Sequence, residues 1–448
     1  MADYKKKKVK KIKPKKNSHP SKKDSVATEN IKMLDSRVRR VKKRRSKLKK
    51  TTSAMPTRKT EPIAKAYTAE EKYRVIKGNK SKNRLKRFLK LTACLPVIAI
   101  ILLANFMTPT GIIETASNFM VELGSGDDSV NLQSNKITDF RNDGGRISVL
   151  SDTYLELYNA NAKQMLCHQH GFSTPQLKTS DSRVLVFDRG GKGFKIFNNS
   201  KMLLDEKLQA TIISADISRN GSMAFVTEST GYLAQVSVFD KDLKNKFTFY
   251  SSEKRITDAA LNNRGRKLAV SEIFVENGVC SSTVSVYNFS DSKPVFVEKF
   301  ENEIITSLIN TGSRILAVGS KTIAYLSWNG KHKELPSLNN SLIKFKVINN
   351  KNAIFVTGSI NGLSKSCVSV YNSKGVQISS FDFDDNITDI SLASDTIWIL
   401  SGNTVKKYSA EGKFIDYPED LSAASICLCG LKKNSFAFVS QAKLIYYK

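Results

Sequence analysis

The phrase "VSVYN" stands at 284–288 and again at 368–372, 84 residues further on, and "VSVFD" stands at 236–240. Apolar residues two apart, β-branched and aromatic, are the pattern of a half-buried strand. The closing Asn or Asp is a turn former, because its side chain bonds backbone N–H groups two residues on. A looser form of the phrase is apolar, any, apolar, aromatic, then Asn, Asp or Ser. It recurs as "LELYN" at 155–159, "FKIFN" at 194–198 and "YLSWN" at 325–329, and more weakly as "VKKYS" at 405–409 and "LIYYK" at 444–448. The aromatic falls at Tyr158, Phe197, Phe239, Tyr287, Trp328, Tyr371, Tyr408 and Tyr447, at intervals of 39, 42, 48, 41, 43, 37 and 39 residues.

A period near 40 with four short strands per unit predicts an all-β protein, a β-propeller. Residues 387–420 show the unit plainly: "ITDISLAS", "TIWILSG", "TVKKYSAEG" and "KFIDYPED" read as four strands, with Gly402 and Gly412 at turns. Eight aromatics predict eight blades, or seven should a terminal unit be irregular. Each aromatic is expected on the third strand of its blade, packed against the next blade. The final unit supplies only three strands before the chain stops. An open edge is an aggregation liability, so a clasp strand from before the first unit is expected. "FMVEL" at 119–123 is the first candidate and residues 130–132 the second.

Charge divides the chain. Residues 1–90 carry 34 basic against 7 acidic residues, while the other 358 carry 38 against 34. Like-charge blocks such as "KKKKVKKIKPKK" at 5–16 cannot bury enough apolar surface to offset ordering entropy, so a basic, largely disordered tail is expected. Residues 91–113, "LTACLPVIAIILLANFMTPTGII", contain no charged residue. About 20 apolar residues span a ~30 Å hydrocarbon core, which predicts one transmembrane helix. Lys82, Arg84, Lys86, Arg87 and Lys90 crowd its N-terminal flank, whereas Glu114, Asp127 and Asp128 follow it. The positive-inside bias then puts the tail in the cytoplasm and the propeller outside it, with those five cations against anionic lipid headgroups. The expected organisation is a tail at 1–90, a span at 91–113, a linker with the clasp at 114–135 and an extracytoplasmic propeller at 136–448.

The layout of basic tail, single anchor and divergent propeller, with "ITD…VSVYN" units such as 256–288 and 387–409, resembles a bacterial family of unknown function whose members are single-pass, membrane-anchored β-propellers. The resemblance covers 91–448 and implies the fold and the anchor. It brings no catalytic residues. Other propeller signatures, such as Trp-Asp blade ends or a Trp in nearly every blade, are absent from a chain with two Trp.

Candidate chemistry is sparse. Asp139, Asp258 and Asp389 each close an "ITD" that starts an innermost strand. Such starts gather at one mouth of a propeller channel, so the three are the candidate binding residues. The competing reading is that Thr and Asp bond backbone where a loop enters a strand. His168 and His170 share a strand face two residues apart, but a metal site needs further ligands and the remaining histidines are His19 and His332; two exposed fourth-strand histidines are expected instead. Five cysteines follow the apolar segment in no disulfide spacing, and read as free. No phosphate loop, nucleophile elbow or zinc motif is present. No cofactor, metal or catalytic residue is therefore expected. The reading is a non-enzymatic binding or scaffold module for a protein or cell-envelope glycan. Two alternatives stand beside it: an enzyme acting on envelope polysaccharide, and a tail that binds nucleic acid below a sensor propeller.

Overall fold

The computed structural model describes residues 112–448 apart from 181–182, 292, 331, 335–340, 349–351, 359–364, 394, 422–424, 433 and 448. The basic tail, including Lys82, Arg84, Lys86, Arg87 and Lys90, lies outside the described residues, as does the apolar segment up to residue 111. Among the described residues no helix is long and apolar enough to cross a membrane.

Each forty-residue unit folds as a four-stranded antiparallel sheet whose strands follow chain order from the inside outward. Eight such sheets make an eight-bladed β-propeller. Numbered in chain order, the blades occupy 137–169, 175–207, 212–251, 255–300, 305–334, 341–383, 389–420 and 425–447. The last blade takes its fourth strand from Ser129–Asn131, which pairs antiparallel with Lys443–Tyr447 and sets Val130 opposite Leu444. Outside that ladder, Leu132 N–H donates to the Ala442 carbonyl and Tyr446 N–H to the Asp128 carbonyl, both at 2.8 Å. The second clasp candidate is thus the one used. "FMVEL" instead lies at the end of a helix, α1, Ile112–Glu122. Glu114, Asn118 and Val121 repeat at helical spacing and face the propeller, a period that a strand cannot use. Gly126 then brings the chain against blade 1, where a Cβ would lie 2.3 Å from the Ala162 carbonyl oxygen.

The recurring aromatics sit where the third strand ends, and they pack against the preceding blade rather than the following one. Tyr287 shares a cluster with Val236 and Val238 of blade 3, its ring centroid 4.8 Å from that of Phe249. Side-chain parity is the reason. In "VSVYN", Val284 and Val286 point to the following blade, so a residue three positions beyond Val284 must point back. The same holds for Tyr158 against blade 8 and Tyr408 against blade 6. In blades 1, 2, 3 and 6 the Asn or Asp that follows closes the turn as expected. The Asn159 side-chain oxygen accepts Asn161 and Lys163 N–H, and that of Asn372 accepts Lys374 and Val376 N–H.

Candidate functional site

The innermost strands surround a central cavity of about 720 Å³. Its walls come from the middle and C-terminal halves of those strands and from the turns that follow them, including Asn142, Asp143, Ser218, Arg219, Asn263, Thr311 and Ser313. The cavity therefore belongs to the face that carries the turns between first and second strands and between third and fourth strands.

A bulge recurs at the second or third position of the inner strand in six blades, at Thr138, Ile213, Thr257, Thr306, Ile343 and Ile426. Counting from it puts Asp139, Ser214, Asp258, Ser307, Lys344 and Cys427 at one level. Arg141, Asp216, Ala260, Ile309, Lys346 and Cys429 form the next level, two residues on. Bulged Thr hydroxyls return to nearby backbone: Thr138 donates to the Leu150 carbonyl, and Thr257 to those of Ser271 and Ile305.

Much of this polar ring joins blade to blade. Asp258 is buried; it accepts the Ser214 hydroxyl of blade 3 at 2.6 Å and Leu308 N–H of blade 5 at 2.9 Å. Asp389 is buried too and accepts Leu428 N–H of blade 8 and the Lys346 ammonium of blade 6, each at 2.7 Å. Lys346 reaches on to the Leu428 carbonyl at 3.1 Å. Asp216, which sequence reading passed over, accepts Leu261 N–H of blade 4 at 2.7 Å. Its carboxyl is pushed up to about 6, chiefly by burial and further by Asp258, while Lys178 and the Leu261 N–H pull the other way. The blade 8–blade 1 seam is closed by Asn142 donating to the Gly430 carbonyl at 2.7 Å.

Of the three predicted aspartates, only Asp139 lines the cavity, and Arg141 holds it in a two-pronged ion pair with Nε 2.9 Å from each carboxylate oxygen. The structure puts Asp139 and Asp258 at one level of the ring, counted from the bulge, but brings no common ligand position among the three. Sequence reasoning missed Lys178, on the cavity wall. Among the described residues it has no hydrogen bond or ion pair. "PQLKTS" lacks the bulge found in six of the inner strands, so nothing in its spelling marks Lys178 as equivalent to Arg141 and Asp216.

The other candidates have structural partners. His170 is buried, not exposed. Its Nδ1 accepts Phe172 N–H at 3.0 Å, which leaves Nε2–H to donate to the Ser151 carbonyl at 3.2 Å. His168 leans on Phe197. Burial lowers both imidazole pKa values. Among the described residues no three His, Cys, Asp or Glu side chains are placed to share a metal ion. Cys167, Cys280, Cys367, Cys427 and Cys429 are free, and burial pushes the Cys427 and Cys429 thiols up to about 11 and about 12, away from thiolate reactivity.

The model of a family of unknown function, DUF5711, matches residues 125–445. The chain belongs to that family. Its span in this DUF5711 protein begins just ahead of the clasp strand and ends inside the strand that the clasp pairs with. Among curated proteins no match is found. Solved structures similar to the DUF5711 chain include the C-terminal WD40 domain of Sif2, 13% identical over 71% of this chain and 96% of that one, with a TM-score of 0.48. BamB from Moraxella catarrhalis is 12% identical over 73% and 99%, with a TM-score of 0.46. The β-propeller domain of Myceliophteria thermophila Cps50 (Swd1) is 9% identical over 71% and 97%, with a TM-score of 0.40. At such identities the likeness concerns the fold and nothing else.

Proposed function

We propose that this protein is a membrane-tethered propeller that binds a polar cell-envelope ligand, protein or glycan, in its central cavity without catalysis. The observation that carries the reading is the cavity itself. Its carboxylates are engaged by neighbours: Asp139 by Arg141, Asp216 by the next blade, Asp143 by Arg146 at 3.8 Å. What it offers a ligand is hydrogen-bonding turns and the Lys178 ammonium. A hydrolase needs two carboxyl groups free to exchange protons; the engagement of these three carboxylates supports binding over hydrolysis. Asp139 meets the ligand from within its pair with Arg141, while Asp258 and Asp389 hold in register the blades that form the wall.

The tether is the uncharged segment 91–113, with residues 1–90 cytoplasmic and 136–448 extracytoplasmic, joined through 114–135. Lys82, Arg84, Lys86, Arg87 and Lys90 then meet anionic headgroups, at about 1 kcal/mol each near the surface. The test is the full chain in vesicles. Protease added outside intact cells should degrade the C-terminal three-quarters, and the reconstituted chain should co-sediment with isolated peptidoglycan sacculi. Lys178→Glu should weaken that co-sedimentation at least about tenfold, the loss expected of one desolvated charged contact. Full protection from protease removes the topology; binding that ignores Lys178→Glu removes the cavity as the ligand site.

A further inference from the structure

α1 has two faces. Glu114, Asn118 and Val121 face the propeller. Glu114 is ion-paired with Arg183, whose second guanidinium nitrogen is 3.0 Å from the carboxylate, and accepts the Asn198 amide at 2.9 Å. Burial raises the Glu114 pKa, but Arg183 and Asn198 outweigh it and hold the carboxyl below its ordinary range. Val121 packs beside the blade 1–blade 2 core. The end of the helix is clamped as well. Lys163 donates to the Val121 and Leu123 carbonyls at 3.0 and 2.6 Å, and Asn159 to those of Glu122 and Gly124 at 2.8 and 2.9 Å. Helix and propeller thus move together.

The other face carries Ala116, Phe119 and Met120, and Leu123, one residue past the helix end, continues the same spacing. Phe119 is 61% exposed, Met120 71% and Leu123 53%. An apolar stripe opposite the docked face has no partner among the described residues, and stripes of this kind mark an interaction surface. What covers it is argued from where the helix starts. The 23 uncharged residues 91–113 lead directly into it, with no spacer. Every residue that grips α1 belongs to a first-to-second or third-to-fourth strand turn or its flank, on the face to which the cavity belongs.

We infer that the Ala116–Phe119–Met120–Leu123 face of α1 lies in the interfacial layer of the bilayer and fixes the propeller with its cavity face toward the lipid. Amphipathic helices with aromatic and large apolar side chains bind that layer. The ligand of the cavity is then approached from the membrane surface, not from the distal side. This inference rests on the proposed tether.

The experiment uses the full chain reconstituted in phosphatidylcholine–phosphatidylglycerol vesicles, with a fraction of the lipid brominated near the headgroup end of its chains. Trp328 and Trp398 are buried, at 8% and 1% exposure, so they give a constant background. Met120→Trp and, as a second reporter, Leu123→Trp are compared with Tyr250→Trp, whose site is 49% exposed at the end of a fourth strand, on the opposite face. The expected result is at least about a twofold loss of the added emission at 120 and 123, and none at 250. If the chain floats with the vesicles and 120 and 123 are quenched no more than 250, the inference falls and the tether stands. Emission at 120 that is blue-shifted yet insensitive to brominated lipid assigns the stripe to a second copy of the chain, and also overturns it. If the chain does not float with the vesicles, the tether itself fails and the inference with it.

Discussion

Asp258→Ala tests whether the polar ring is a blade-to-blade fastening. The substitution removes the carboxyl group that accepts two hydrogen bonds, from the Ser214 hydroxyl at 2.6 Å and Leu308 N–H at 2.9 Å. Leu308 is 2% exposed, so its N–H is left without water as well as without its partner. Bonds to charged groups contribute about 1.5–3 kcal/mol each, and a stranded buried donor costs about 1–3 kcal/mol. A loss of about 4 kcal/mol follows. Unfolding entropy near 2.1 cal/mol/K per residue gives roughly 0.7 kcal/mol per degree for the 125–445 span, hence a fall in Tm of about 6 °C. Asp258→Asn keeps one acceptor oxygen and should lose about half as much. The assay is thermal unfolding of the full chain followed by the fluorescence of Trp328, which sits in the core between blades 4 and 5. A Tm for the alanine variant within about 1 °C of wild type would refute the fastening role. A loss of ligand binding without a loss of Tm would return Asp258 to the list of ligand contacts.

Tyr287→Ala empties the space between Phe247 and Phe249, and should destabilise the fold by about 3–5 kcal/mol in the same assay. Val130→Pro removes a ladder donor from the clasp opposite Leu444, and limited proteolysis should then open blade 8 first, within 425–447. Asp216 has a folded pKa near 6 against an ordinary 3.8, so the folded state takes up a proton that the unfolded state does not. Stability from this group is therefore gained as pH falls through about 6 and levels off near 4. The Tm difference between wild type and Asp216→Asn should move toward wild type from pH 7.5 to pH 5; a pH-independent difference would contradict the burial of this carboxyl.

The site was less legible than the fold because its roles depend on neighbours. "ITD" recurs in the sequence, yet Asp139 meets Arg141 on its own strand while Asp258 and Asp389 reach backbone N–H groups 50 and 39 residues away. Asp216 plays the same part within "IISADI", where the triplet ending at the aspartate, "SAD", shares with "ITD" only that last residue. α1 was overlooked because its 11 residues run on from a longer apolar stretch, and because "FMVEL" has strand-like composition. Its helical period shows only when Glu114, Asn118 and Val121 are read as one stripe.

The chain's own order of letters determined the forty-residue period, the strands of each unit, the turn chemistry after the aromatics of blades 1, 2, 3 and 6 and the need for a borrowed strand. All of these follow from alternation and turn propensity, which act within a few residues. Only the assembled wheel decided which way the aromatics point, which segment closes the ring and which aspartates are spent on fastening. Those outcomes depend on side-chain parity relative to an adjacent blade, on a free edge far along the chain, and on backbone donors supplied by another unit. Distances of that kind exist only after the blades have met.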